Sequence, residues 1–300
     1  MPAEPLIAVF TKNRTNPAYA GARLGADRTA QRLGARTRHF VPDTPDDVEQ
    51  QIALIDQALA ARPDAFVFTP VHENAVDSAI ARIDAAGIPL VNFINRMQRG
   101  NRIAFVGSDD RALAIAVAER LFVHLNGRGR VAVMQGTPGS ITSRTRLEGF
   151  LEAAGRHPGV AIVAQCAGDY QRQTARDVMQ GVLARHSALD GVLCANDEMA
   201  LGAIEAMRAA GRMVPVVGVN ALPEAIAAIE RGTLIATADF DATKMGCIAT
   251  EAAIRHLRGE RIPAEIMLPV QVVDAGNCAA WDRPIEAREC PRWEDVAGAA

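Results

Sequence analysis

Aromatic residues are scarce: they make up 4% of the 300 residues, with two Tyr and two Trp, so the position of each is informative. Charge of one sign is lacking too. Lys and Arg number 32 against 35 Asp and Glu, a formal net charge of −3 with no segregation along the chain. That excludes a nucleic-acid binder working through a broad basic face and leaves no polybasic membrane patch. No apolar run approaches the roughly 20 residues needed to cross a bilayer, and no segment is biased enough in composition to argue for disorder. Cysteine is infrequent, with five residues, no Cys-x-x-Cys and no His/Cys cluster at metal-ligand spacing. Cys166, Cys194 and Cys247 lie in apolar strand or helix patterns and read as small core residues. Cys278 and Cys290 lie in an irregular tail, where they could pair if the protein is exported.

What is present is a regular alternation. Nearly half the chain is hydrophobic, 49%, enough for sizeable cores in about two domains. Short β-branched runs end in polar, Gly or Pro residues and lead into amphipathic helical stretches. Leu6–Thr11, Thr37–Val41, Ala65–Thr69, Leu90–Ile94 and Ile103–Val106 read as strands of a first set. Arg130–Gln135, Ala161–Cys166, Gly191–Ala195, Pro215–Val219 and Leu234–Ala238 form a second set, and Ile266–Val272 reads as a final strand. Strands buried on both faces and alternating with helices define an α/β, doubly wound parallel fold.

An internal repeat indicates two such sheets. Ala58-Leu-Ala-Ala-Arg-Pro-Asp-Ala-Phe-Val-Phe-Thr69 is echoed from Val182 to Asn196. Ala79-Ile80 through Asn95 is echoed by Ala203-Ile204 through Asn220. Open α/β sheets bind ligands outside the carboxyl ends of their strands. Thr69, Asn95, Asn196 and Asn220 all fall there.

Catalytic motifs do not appear. There is no Gly-x-Gly-x-x-Gly after a strand, no P-loop lysine, no Gly-x-Ser-x-Gly and no His-Glu-x-x-His. The Gly136-Thr-Pro-Gly-Ser140 loop reads as a tight βα turn. The six histidines are scattered, and only His72 falls in a loop on the expected ligand side. Asp109-Asp110 and Asp197-Glu198 look like paired carboxylates, but at strand–helix junctions they read as caps and first-turn charges.

Several motifs together carry a resemblance. Asn196-Asp-Glu-Met-Ala-Leu-Gly-Ala203 after a strand, Asn16-Pro-Ala-Tyr19, Ala86-Gly-Ile-Pro89, Gln135-Gly, Arg146-Leu-Glu-Gly-Phe150 and Asp169-Tyr170 stand in order over about residues 5 to 270. This pattern resembles the ribose-type periplasmic sugar-binding proteins, the solute-binding components of ABC importers. Their type I fold is shared by the effector domains of LacI-type repressors. The resemblance implies a ligand cleft between two lobes joined by a three-segment hinge. Asn16, Tyr19, Thr69, Asn95 and Arg96 would serve it from the first lobe. Arg146, Tyr170, Asn196, Asn220 and Phe240 would serve it from the second. Planar amides and guanidiniums with aromatic faces suit a polyhydroxy ligand. Five positions depart from the family pattern: Asn95 and Asn220 replace aspartates, Thr69 an asparagine, Ala18 an aromatic and Phe240 a glutamine. The cleft would be more electropositive for it.

The first lobe is expected over 1–107 and 240–269, the second over 108–239 and 270–300 including the tail. The implied role is capture of a small sugar, polyol or sugar derivative by hinge closure and delivery to a membrane ABC permease, with no catalysis and no cofactor. The implied setting is a periplasmic monomer whose signal peptide has been removed. Presentation to a chemoreceptor, or an effector-binding core of a transcription regulator, is the alternative. An enzyme on the same lobes lacks a nucleophile or acid–base constellation.

Overall fold

In the computed structural model, which describes residues 4–298, the chain opens with β1 (Leu6–Phe10), α1 (Pro17–Leu33), β2 (Arg36–Phe40), α2 (Val48–Ala60) and β3 (Ala65–Phe68). α3 (Asp77–Ala85), β4 (Leu90–Phe93) and β5 (Ala104–Gly107) follow. After them come α4 (Asp110–His124), β6 (Arg128–Gln135), α5 (Ile141–Gly155), β7 (Gly159–Ala167) and α6 (Arg172–Arg185). Next are β8 (Gly191–Cys194), α7 (Asp197–Ala209), β9 (Val216–Val219), α8 (Pro223–Glu230) and β10 (Ala236–Asp239). α9 (Ala242–Leu257), β11 (Glu265–Met267), β12 (Gln271–Asp274) and α10 (Trp293–Ala297) end the chain.

These elements divide into two units. Among the described residues, one takes 4–108, Asp241–Leu268 and 285–298, and the other takes Asp109–Phe240 and Pro269–Pro284. Each is built on a six-stranded sheet, ordered β11-β5-β4-β3-β1-β2 in the first and β12-β10-β9-β8-β6-β7 in the second. The first sheet is parallel throughout, and in the second only β12 runs antiparallel, against β10.

Helices cover both faces of a parallel sheet, so its central strands carry apolar side chains in both directions. β3 and β4 are buried at every residue, as are β8 and β9. Phe10 stacks on Phe40 with ring centroids 5.0 Å apart, a pairing that reaches from β1 to β2. On the first unit α1 and α9 touch along small residues. A Cβ at Gly246 would lie 2.0 Å from the Ala22 carbonyl oxygen, and one at Gly25 2.3 Å from that of Thr243. Any larger residue at either site would push the two helices apart.

Two expectations about the chain end are corrected. The stretch Ile266–Val272 is not one strand. Leu268 donates its N–H to the Gly107 carbonyl, but Pro269 has no N–H to continue the ladder, so the chain leaves the first sheet and re-enters the second as β12. The tail does not stay with the second unit. Cys290 forms a disulfide with Cys247 on α9, in place of a Cys278–Cys290 pair, and Cys278 is a buried free thiol. Cys247 is therefore more than a core residue. Arg28 on α1 donates to the carbonyls of Glu286 and Arg288 at 2.6 and 2.8 Å, and Trp293 lies buried under the Arg255 guanidinium. The chain thus changes unit four times, the last at Pro284/Ile285, rather than three.

Candidate functional site

Each unit gathers polar side chains at the carboxyl ends of its strands. In the first, β1 runs out into Thr11, Lys12 and Asn13, all buried. Asn16 caps α1: its Oδ1 accepts the Ala18 N–H at 2.9 Å, and its own N–H goes to Asn13 Oδ1 at 3.0 Å. Pro17 takes the first helical position, where its missing N–H costs nothing. Asn13 Nδ2 reaches Asp46 Oδ1, and Lys12 Nζ lies 3.6 Å from the same oxygen. A lysine 1% exposed beside a buried carboxylate is a pair held together by the cost of desolvating either charge alone.

Thr69 and Asn95 end β3 and β4 as the sequence indicates. The Thr69 hydroxyl donates to the Phe93 carbonyl at 2.7 Å. Asn92 clasps this corner, its Nδ2 donating to the carbonyls of Phe68 and Asn95 and its Oδ1 accepting from the Met97 N–H. Ile94 holds φ at +60°, costly backbone for a β-branched residue, and this turn aims Asn95. Tyr19 is buried on α1. Arg96 does not join this group. Its guanidinium donates two parallel bonds of 2.7 Å to Glu265 on β11, lies 3.8 Å over the Phe105 ring, and holds the Glu265 carboxyl below its usual range. His72 also serves its own loop, its Nδ1 accepting from Asn74 and Ala75.

The second unit assembles a denser cluster. Arg146, on the first turns of α5, is buried. Its Nε donates to Asp110 Oδ1 at 2.7 Å, an Nη donates to the Ala195 carbonyl at 2.7 Å, and the guanidinium lies 5.4 Å from the centre of the Phe240 ring. Asp110 is therefore more than a first-turn charge. Capping of α4 falls to Asp109, which accepts from the N–H groups of Arg111 and Ala112.

Tyr170 lies across the backbone of Gly136, where a Cβ would sit 2.0 Å from its ring, so glycine is required at the end of β6. The phenol meets the Thr142 hydroxyl at 3.1 Å, and Thr142 meets Ser140. Asp169 and Tyr170 both hold positive φ, +52° and +58°, which turns the ring into the cluster. Asn196 caps α7 through the Met199 N–H and donates to the Tyr170 carbonyl. Asn220 ends β9 with φ at +122°.

Asp197 brackets this corner from below. It accepts from the Leu222 N–H and the Thr237 hydroxyl, tying the loop after β9 to β10. A Cβ at Gly218 would lie 2.2 Å from its Oδ1. Burial pushes its pKa up to about 7 against those two hydrogen bonds, with Asp239 and Glu198 adding to the rise. Asp239, at the end of β10, accepts from the Trp281 indole at 2.7 Å.

Lys12, Asp46, Asp110 and Trp281 are the residues that sequence reasoning missed. A charged Lys closing an apolar strand was a visible signal for the first. The others depend on contacts far apart in the chain. Among the described residues no group of three or more His, Cys, Asp or Glu could hold a metal ion, and no helix is long and apolar enough to cross a membrane.

Paired doubly wound units with amides, a buried guanidinium and aromatic rings at their strand ends define a ligand-binding class of protein. The chain belongs to the periplasmic binding protein family, whose domain model matches residues 7–261. It is 28% identical over 271 residues to the ribose import binding protein of Bacillus subtilis, covering 89% of this chain and 85% of that one. It is 29% identical over 290 residues to the D-ribose/D-allose-binding protein of Pseudomonas aeruginosa, covering 91% and 90%. A solved ABC transporter periplasmic solute-binding protein from Actinobacillus succinogenes with bound D-allose superposes with a TM-score of 0.87 at 28% identity, covering 92% of this chain and all of that one. These relatives are binding proteins, not enzymes.

Proposed function

We propose that this chain captures a small sugar or polyol by hinge closure and delivers it to a membrane ABC importer, working as a periplasmic monomer. The observation that carries the reading is the buried Arg146 guanidinium, held by Asp110 and the Ala195 carbonyl and laid over Phe240. A preset guanidinium beside an aromatic face suits a ligand with hydroxyl acceptors on one side and C–H surface on the other. Asn16, Tyr19, Thr69, Asn95, Tyr170, Asn196 and Asn220 complete the proposed ligand group. Arg96 is left out of it, because Glu265 already takes both of its forks. The ribose and allose named for the relatives support a neutral monosaccharide, while Asn95 and Asn220 in place of carboxylates favour acceptor-rich sugars or sugar acids. The Cys247–Cys290 disulfide supports an oxidising compartment outside the cytoplasm.

A thermal-shift screen over pentoses, hexoses, inositols and sugar acids tests the reading, since a ligand that binds only the native state raises the melting temperature. Calorimetry with ribose and allose then ranks the hits. If no sugar, polyol or sugar acid shifts the melting temperature, the reading is wrong. If the protein presents its ligand to a chemoreceptor instead, binding stays and transport in a permease-reconstituted system is absent.

A further inference from the structure

The Phe240/Asp241 crossing lies between two well-anchored elements. Asp239 ends β10 in the second unit, and Asp241 caps α9 in the first, accepting the Lys244 N–H with its own backbone at φ +53°. The segment after β12 has an anchor on each side of this crossing. In the second unit the turn Cys278–Ala280 packs on α8, and the Trp281 indole donates to Asp239 Oδ2 at 2.7 Å. In the first unit Ile285 seats on α1 at Gly21, where a Cβ would lie 3.0 Å from its Cγ2 and 2.5 Å from the Thr243 hydroxyl. Arg28 then grips the carbonyls of Glu286 and Arg288, and the disulfide closes onto α9 at Cys247.

We propose that Trp281–Cys290 is a splint across the Phe240/Asp241 hinge, fixed to Asp239 on one side and to α1 and α9 on the other. Three residues separate Trp281 from Ile285, and even fully extended that link reaches only about 14 Å between their Cα atoms. One anchor therefore bonds Asp239, one residue before Phe240, and the other seats at Gly21, the position on α1 that also faces Thr243, two residues after Asp241. The backbone between them cannot swing without either breaking the Trp281–Asp239 bond or dragging a disulfide-stapled segment. A short second connection of this kind narrows the range of hinge angles, because a stiff link leaves few conformations that satisfy both ends. That the crossing acts as a hinge rests on the closure reading above; the two anchors do not.

The test lengthens the link without touching either anchor. A Gly-Ser-Gly-Ser-Gly-Ser insert between Arg283 and Pro284 leaves the disulfide, the indole bond and both cores in place. In the ligand-free protein it should raise the radius of gyration measured by small-angle scattering and speed amide exchange across 240–243. Cys290→Ser should move both readouts the same way but by less, because it loosens the far anchor while Arg28 and Ile285 still hold it. Unchanged scattering and unchanged exchange in the insert variant would overturn the splint, whether or not Cys290→Ser folds. Neither readout uses a ligand, so failure of the splint and failure of the sugar reading are separable.

Discussion

The Arg146 Nε stands 2.7 Å from Asp110 Oδ1, a buried pair that joins the start of α5 to the start of α4 beneath the Phe240 ring. Both side chains are largely shielded from water, 5% and 14% exposed, so each charge depends on the other for compensation. Arg146→Ala should weaken ligand binding by about 2 kcal/mol or more, because ligand oxygens would be left desolvated and unpaired. It should also destabilise the fold by about 3 kcal/mol, because Asp110 would lose its counter-charge in a buried site. Urea denaturation of Arg146→Ala, Asp110→Ala and the double variant should show strong coupling, the double losing much less than the sum. Additive losses would mean that the pair does not act as a unit.

In the first unit the Lys12 ammonium faces Asp46 where β1 ends. Lys12→Met keeps the length of the side chain and removes the charge. It should weaken binding of whichever sugar the screen identifies by about 1–3 kcal/mol. Isothermal calorimetry on that sugar decides: wild-type affinity would mean that the Lys12–Asp46 pair plays no part in binding.

Asp197 makes stability depend on pH in an unusual direction. Its folded pKa of about 7 stands above the ordinary 3.8, so between those values the native state keeps a proton that the unfolded chain releases. Stability contributed by this group is therefore complete below pH 4 and lost as pH rises toward 7, by up to about 4 kcal/mol at roughly 1.4 kcal/mol per pH unit. Asp197→Asn should flatten that decline. Urea midpoints between pH 5 and pH 8 should fall more steeply for wild type than for the variant, and parallel curves would contradict the assignment.

The Cys247–Cys290 bond closes a loop with a sequence separation of 43. Removing such a cross-link releases chain entropy in the unfolded state and should cost about 2–4 kcal/mol. Melting under a dithiol reductant should therefore come well below melting of the oxidised protein. Cys278→Ser should leave the oxidised melting curve close to wild type, since that thiol is unpaired in the disulfide framework.

The sequence alone determined the doubly wound class, because strand–helix alternation and apolar burial are local periodicities. The loop positions of Asn16, Thr69, Asn95, Tyr170, Asn196 and Asn220 were also legible, since each follows its strand or opens its helix at a fixed offset. What stayed out of reach were pairings between residues distant in the chain. Arg96 was expected among the ligand groups, but Glu265 lies 169 residues away and no local pattern announces that ion pair. Likewise nothing near Cys290 distinguishes Cys247 from Cys278 as its partner; the close approach of α1 and α9, and the tail's return to them, decides it. Pro269 was visible as a strand breaker, yet only the pairing of β11 with β5 and of β12 with β10 shows that the break moves the chain from one sheet to the other. Local propensity is written residue by residue, whereas charge pairs, disulfides and unit boundaries belong to whichever distant segments packing brings within reach.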